Sequence, residues 1–512
     1  MNERYTTDVK YPTTYFHFQT PVIMSSVALL TGHAHRFPGS EFTYCDFGCG
    51  QGYMLSLLAA CNPDAKFFGV DLNPAHIESA QKLVDQFGLD NVMLINADFE
   101  ELKPDDLPDL DYAAITGVYS WLPMRVRARL IDYVSGRLKA GGLCFLHYLS
   151  MPGFGRTLAT TALTQLLAEH QAGDSAARAL AAVTELHDLL DCNPQLPFNK
   201  SSPETRATLK RHLKKDPGDL AHDILNRDLQ PLWFHSVAKM LGEYGLAYIG
   251  HAVPNMNSFA DLQPNGAINP YNDFCKNYDD PILREEMLGL LLDLPVRMDI
   301  FGKGFGVLAE LEASCFSNFR AHSLVGPHHE ITRRQINSHF LIDLLHPIYS
   351  EILEDLSEHS KEAAHVFEKC AQKHGASKAR QALLHLVSIN LIAFGAESGA
   401  PVVGEKHLNP SKFSKHVLFD QLSEPGMAPV PSVLLSSCIK VSHLDRVLFA
   451  VLLDNNPEDV WSRISQGTVQ LRGSNNQPIS DYDAFCKFLP GAMQVFKASR
   501  LPELLKLGIL SS

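Results

Sequence analysis

The chain has 512 residues, 45% hydrophobic and 20% charged, the make-up of a soluble globular protein of two to four domains. Its 44 Lys and Arg against 57 Asp and Glu give a net charge of −13. That excludes the basic field on which nonspecific nucleic-acid binding depends and suits a protein-like or cationic partner. The ten cysteines form no CxxC pair, the segment from Met1 to Tyr5 has no apolar signal core, and no apolar run nears membrane-span length. These features predict a reducing, cytoplasmic setting without membrane insertion.

The first feature in chain order is an aromatic arm, Tyr11-Pro12-Thr13-Thr14-Tyr15-Phe16-His17-Phe18-Gln19-Thr20-Pro21. Two readings stand open: a lid over a ligand edge, or an anchor that pins the arm to its domain. Among 23 histidines, His33 with His35 and His328 with His329 are the densest spots. Neither has a partner set at metal-ligand spacing, so solvent-facing or capping histidines and no metal are expected.

An apolar run from Phe42 to Cys45 predicts a strand. Asp46-Phe47-Gly48-Cys49-Gly50-Gln51-Gly52 follows, and Tyr53 to Ala60 predicts a helix. Glycines permit positive φ and close ligand approach, and a helix start offers unpaired N–H groups to an anion. The dinucleotide fingerprint G-x-G-x-x-G fails here, because its third glycine would fall on Tyr53. The pattern is instead D-x-G-x-G-x-G. Phe67 to Asp71 is a second strand, and its terminal acid lies 19 residues beyond Gly52. That is the offset at which an acid grips ribose hydroxyls in nucleotide-binding sheets. Val92 to Ile95 is a third strand, followed by Asn96-Ala97-Asp98-Phe99. Asp111 to Thr116 is a fourth, and Leu143 to His147, after Gly141-Gly142, is a fifth. Cys45 and Cys49 are expected to be buried thiols.

After Gly155 the periodicity turns helical. Leu158, Leu163, Leu166 and Leu167, then Leu180, Val183, Leu186, Leu189 and Leu190, predict an αα-hairpin. Asn193 to Pro203 is a loop and Leu209 to Lys215 a short basic helix. Pro231 to Leu241 is helical and Gly245 stops it. Leu246 to Gly250 is a sixth strand, and Phe305 to Ala309 is the expected seventh. Beyond 313 the chain is mainly helical, as in Ile342 to Leu356 and Ala379 to Phe394. Pro425 to Pro431 is a Pro/Gly-rich linker. Leu444 to Asp454, Glu458 to Ile464, Asp481 to Phe488 and Met493 to Ser499 are further helices. With a strand pair around Val469 to Arg472 they suggest a winged-helix-like module.

The glycine motif resembles motif I of class I S-adenosylmethionine-dependent methyltransferases. Further peptides narrow the resemblance: the aromatic arm, Gly117-Val118-Tyr119-Ser120-Trp121-Leu122-Pro123, Tyr148-Leu149-Ser150-Met151-Pro152-Gly153-Phe154, and Asp223 to Arg227 before Pro231-Leu232-Trp233-Phe234. Together they resemble class I methyltransferases that carry a methyltransferase regulatory domain. That family includes bacterial protein-lysine methyltransferases acting on outer-membrane surface proteins. Its GVYSW-x-P pattern is present, whereas its SYN-x-x-PGW pattern is altered at Leu149-Ser150 and Phe154. The resemblance covers residues 5 to about 305, weakens from 313 to 425 and returns faintly at Leu444 to Asp454.

The resemblance implies an α/β fold: a Rossmann-like, seven-stranded class I methyltransferase sheet with a helical insertion, then a mainly α C-terminal region. The expected domains are 1–153 (cofactor-binding), 154–312 (regulatory region with the last strands of the sheet), 313–425 (helical) and 426–512 (winged-helix-like). It implies S-adenosylmethionine as cofactor. Gly48, Gly50, Gly52 and Gly117 would shape its site, with Asp46 toward the ammonium. Asp71 would take the ribose, Leu72 would lie beside the adenine, Asp98 would take the adenine amino group, and Phe99 would pack on the ring. Tyr119 and Trp121 are the candidate aromatic walls for a cationic amine. The implied reaction is N-methylation of protein lysines. A small-molecule acceptor, or a cofactor-binding assembly protein without turnover, stays open, as does a homodimer through the inserted hairpin.

Overall fold

The computed structural model describes residues 8–9, 13–193, 195–201, 203–261, 263–264, 269–325, 334–335, 340–396, 411–424, 426–454, 456–465, 471 and 478–509. A central sheet organises the first three hundred residues. Its strands are β1 (Thr43–Phe47), β2 (Lys66–Asp71), β3 (Val92–Asn96), β4 (Leu110–Ile115), β5 (Leu138–Leu149), β6 (Leu246–His251) and β7 (Val296–Lys303). The order is β3-β2-β1-β4-β5-β7-β6, with β1 to β5 parallel and β7 antiparallel to both its neighbours. Both faces are covered, so the inner strands are continuous buried apolar runs. Strand order reverses between β1 and β4, and a ligand crevice is expected there.

The helix Pro21–Leu30 is buried along its whole length. Its sequence is apolar on every side, as a helix sandwiched between two layers must be. One layer is the sheet. The other contains the helices Pro347–Asp355, Ala363–His374 and Ala376–Ser388, all in the same hydrophobic core. That core runs from Val22 to Ala396, so the expected boundary near 313 is not a break in packing. A second core joins Leu57, Cys61 and Phe87 of the sheet-flanking helices to residues from Phe413 to Ile509. The C-terminal region is thereby docked on the helix Tyr53–Cys61 that leaves the glycine turn. The inserted helices Gly155–Glu169 and Ser175–Asp191 pack together as the hairpin expected, and the second closes a small core with Pro217–Ile224.

Four expectations are corrected. The seventh strand is Val296–Lys303, not Phe305 to Ala309, where Val307 is 80% exposed and makes only an isolated bridge to His33. Arg297 and Asp299 hide β7 in the sequence, because charges within a strand mask its apolar pattern. In the fold they neutralise each other: Arg297 Nε and Nη2 both donate to the Asp299 carboxylate at 2.9 Å. Phe394 is not helical. The helix ends at Ser388, Asn390 turns at φ +56°, and Ile392–Ala396 is a strand paired with Phe319–Ser323. The segment 428–432, expected within a linker, is a strand (Ala428–Ser432) that pairs antiparallel with Ser437–Val441. Pro429 and Pro431 are tolerated because this sheet has two strands and therefore only edges. His35 is buried rather than solvent-facing, and its Nε2 lies 2.7 Å from Ser25 Oγ. The expected strand at 469–472 lies outside the described residues except for Leu471, as do His328 and His329.

The β7 pair belongs to a wider network. Tyr148 of β5 donates to Asp299 at 2.7 Å, Arg297 also reaches Glu285 at 2.7 Å, and its guanidinium lies 4.3 Å from the Phe234 ring centre. Removing one partner of such a buried pair leaves an uncompensated charge, which costs about 3–5 kcal/mol. Asp299→Ala is therefore expected to lower the urea midpoint of the unfolding transition that includes β5 to β7; an unchanged midpoint refutes the network's role.

Candidate active site

The glycine turn and the acid of β2 hold each other. Gly48 N–H and Cys49 N–H donate to Val70 O at 2.7 and 3.1 Å, and Gly52 N–H donates to Cys49 O. Gly50 N–H donates to Asp71 Oδ2 at 2.9 Å. Asn73 N–H and His76 Nδ1 flank the other oxygen, at 2.8 and 3.3 Å. These four turn amides are thus occupied within the protein rather than left for an anion. Glycine is required at two points by crowding. At Gly48 (φ +86°) a Cβ would stand 2.6 Å from Val118 Cγ1, and at Gly52 (φ +71°) it would stand 2.5 Å from Ala80 Cβ.

Two cavities meet at Gly48, over the carboxyl ends of β1 to β4. The larger, about 890 Å³ and open to solvent, is lined by Asp71, Leu72, Asp98, Phe99, Val118 and Trp121, among others. Its outer part adds Glu100, Arg125, Asn226 and Asp228. Four carboxylates thus face one guanidinium, and Arg125 is itself paired with Glu100 at 2.8 Å. The Trp121 indole N–H is buried without a hydrogen-bond partner. The second cavity is lined by Thr13, Thr14, Phe16, Gln19, Asp46, Cys49 and Thr116, together with the turn. Asp46 Oδ1 is buried and likewise unpartnered. Burial first, and the nearby Asp71 charge second, push its carboxyl up to about 7, while a bond from Gln19 pulls it down. Thr116 Oγ1 donates to Gln19 Oε1, so Gln19 is wedged between the ends of β1 and β4.

The structure brings together Asp46, Gly48, Gly50, Asp71, Leu72, Asp98, Phe99 and Trp121 around these cavities. Gly52 and Gly117 (φ +70°) bend the chain beside them and are not among the lining residues. Tyr119 is a correction. Its side chain is 0% exposed, its hydroxyl donates to Met240 Sδ at 3.1 Å, and it belongs to the core under β4 and β5. It cannot wall an incoming amine. The short helix Tyr119–Trp121 explains this, since successive residues there point in different directions and only Trp121 faces the cavity. Cys49 is also corrected: it is partly exposed to the second cavity, whereas Cys45 is buried as expected. Sequence reasoning gives no role to Gln19, Glu100, Asn226 or Asp228. Gln19 lies in the aromatic arm, which does carry a signal, and Asn226 lies in the segment Asp223 to Arg227. In the arm Phe16 and Gln19 line a cavity, while Tyr15 anchors away from it on Ser437.

The glycine turn held against an acid, with orphaned polar atoms at each end of a bent crevice, fits a nucleoside joined to an amino acid. Residues 38–126 match the family model described as "Methyltransferase domain" and 216–303 that described as "Predicted methyltransferase regulatory domain". The chain has the class I methyltransferase fold and is an S-adenosylmethionine-dependent methyltransferase. The methyltransferase is similar over its whole length to PKMT2 from Rickettsia typhi in complex with AdoHcy. That structure is 17% identical, covers 98% of this chain and 100% of its own, and has a TM-score of 0.70. The uncharacterized protein sll1526 of Synechocystis sp. is 26% identical over 99% of both chains. Trans-aconitate 2-methyltransferase of Methylobacterium radiotolerans is 38% identical over 98 residues, 19% of this chain and 34% of that protein. The regulatory match spans β6 and β7 and supplies Asn226 and Asp228, so that region completes both the sheet and the crevice. No helix among the described residues is long and apolar enough to cross a membrane.

To take the cofactor's ammonium, the role the resemblance gives it, Asp46 would have to be ionised. With a carboxyl near 7 in the free protein, the competent fraction is about tenfold smaller at pH 6 than at pH 8. Affinity for S-adenosylmethionine is expected to rise about tenfold over that interval, with proton release near pH 6.5. Calorimetry in buffers of different ionisation heat reads both effects. In Asp46→Asn the slope should vanish; a flat wild-type profile refutes the assignment.

Proposed function

We propose that the methyltransferase N-methylates lysine side chains of a protein acceptor. The observation that carries this reading is the outer part of the larger cavity. There Trp121 stands with Glu100, Asp228 and Asn226, an acidic and aromatic mouth suited to a cationic chain end. The full-length similarity in fold to PKMT2 from Rickettsia typhi in complex with AdoHcy is consistent with it. So is the net charge of −13, which favours a basic acceptor.

When bound, S-adenosylmethionine supplies a methyl group already activated on sulfur. The chain's own residues hold and orient. Asp71, locked by Gly50 N–H, offers its carboxylate to the ribose hydroxyls. Leu72 and Phe99 would flank the adenine and Asp98 would accept from its amino group, while Asp46 and Gln19 would close the amino-acid end, all of them lining the two cavities. Lysine must present a neutral amine, and at pH 7 that costs on the order of 4–5 kcal/mol. Desolvation of the amine deeper in the cavity, away from the carboxylates of the mouth, would lower this cost by disfavouring the ammonium. The released proton would leave to solvent through the open outer part of the cavity.

The exposed Leu158, Leu163, Leu166 and Leu189 of the inserted helices support a second copy of the chain docking there. Ten free cysteines support a reducing compartment.

Incubation with tritiated S-adenosylmethionine and lysine-bearing bacterial proteins is expected to place label on lysine nitrogen, read by digestion and mass spectrometry. Label confined to small molecules would refute the protein-lysine reading. Asp71→Ala is expected to weaken S-adenosylmethionine binding at least tenfold by calorimetry. An unchanged dissociation constant removes Asp71 from the ribose.

A further inference from the structure

The aromatic arm connects the cofactor crevice to a part of the chain more than 400 residues away in sequence. Thr13, Thr14, Phe16 and Gln19 line the second cavity, with Asp46 and Thr116 opposite. Tyr15 lies among them and turns the other way. Its hydroxyl is 2.8 Å from Ser437 Oγ and 3.2 Å from His17 Nδ1, and it accepts from Cys438 N–H at 3.1 Å. Ser437 Oγ is 3.4 Å from His17 Nδ1, which closes a small cycle of polar groups. Ser437 and Cys438 belong to the hairpin of Ala428–Ser432 and Ser437–Val441. That hairpin packs on the helix Tyr53–Cys61, which begins at Gly52 of the glycine turn. Cys438 Sγ lies 3.7 Å from Cys61 Sγ, at the far end of that helix. The hairpin therefore touches both walls of the second cavity from behind, one through the helix and the other through Tyr15.

This cycle is the arm's polar link to the C-terminal hairpin; next to it the Phe16 ring centre lies 5.6 Å from that of the His147 ring and Gln19 bonds to Thr116. Thr13 and Thr14 are exposed. A segment fixed by few buried contacts opens at low cost in free energy. Gln19 and Phe16 reach the crevice only while the backbone between Thr14 and His17 keeps its direction. Burial pushes the Tyr15 phenol up, so it stays protonated and able to donate across the ordinary pH range.

We propose that Tyr15 is a positioning residue through which the C-terminal hairpin holds the arm against the amino-acid end of the cofactor. Tyr15 is not among the residues that line the crevice and acts through Phe16 and Gln19. The inference does not depend on which acceptor the enzyme methylates.

The two ends of the cofactor make the test specific. S-adenosylmethionine carries the amino-acid tail, and 5′-methylthioadenosine has the same nucleoside without it. In the full-length protein, Tyr15→Phe keeps the ring and removes only the hydroxyl. It is expected to weaken S-adenosylmethionine at least fivefold by calorimetry and to speed its release in stopped-flow. Affinity for 5′-methylthioadenosine should stay within twofold of wild type. Ser437→Ala should show the same selectivity, and the double variant should be no weaker than Tyr15→Phe, because both act through one link. Wild-type affinity for both ligands, or equal loss for both, overturns the proposal. Should Tyr15→Phe fail to fold, the ligand selectivity of Ser437→Ala decides by the same criteria.

Discussion

A single carboxylate, that of Asp71, is fixed by a backbone amide of the turn it faces. The Gly50 N–H bond to Asp71 joins the end of β2 to the chain leaving β1. Asn73 N–H and His76 complete its surroundings, and Asp71 is thereby held in one orientation before any ligand arrives. Preorganised acceptors of this kind cost no rearrangement at the moment of binding. The geometry leaves room only for glycine at Gly48 and Gly52, where neighbouring side chains occupy the space of a Cβ. The motif is thus explained by its own hydrogen bonds and crowding as much as by the cofactor. A turn with side chains would lose the Gly50 contact, and the acid would swing toward water.

The same crevice concentrates negative charge. Asp46 and Asp71 lie close enough for one to raise the other's carboxyl, and Asp98, Glu100 and Asp228 extend the acidic lining outward. Like charges in a partly buried site repel unless a cation or a proton intervenes. In the free protein a proton on Asp46 relieves part of that repulsion. A cofactor with an ammonium at one end and a sulfonium between its halves relieves it better. The acidity of the crevice therefore favours the charged donor over its neutral-sulfur product, and this difference would help product leave.

The legible part of the sequence was the part with local rules. The five parallel strands, the glycine turn and the acids at their ends follow from apolar runs and fixed offsets, and the structure places Asp46, Asp71, Asp98 and Phe99 together around the crevice. What escaped had non-local causes. β7 was disguised by Arg297 and Asp299, whose charges are legible only once Glu285, Tyr148 and Phe234 are known to surround them. Tyr119 and Trp121 are equivalent aromatics in the sequence. A turn of helix, invisible to an alternation rule, sends one into the core and the other to the cavity. Gln19, Asn226 and Asp228 come from segments far from the motif; the arm and Asp223 to Arg227 stand out in the sequence, but only the fold shows that they reach the crevice. The Pro-rich segment at 428–432 reads as a linker by composition, yet pairs as a strand because Ser437–Val441 lies opposite.

The size of the C-terminal region gains a reason from its contacts. A crevice at the edge of a parallel sheet is walled on one side by strand ends and on the other by whatever loops lie over it. Here one of those covers is an arm before the first strand, which has no partner strand of its own. Its direction is set from outside, by the hairpin on one side and by the core that buries Pro21–Leu30 on the other. The hairpin also rests on the helix that starts at the glycine turn, so a displacement of the C-terminal region would shift both walls at once. The packing of the last hundred residues is thereby continuous with both walls of the second cavity.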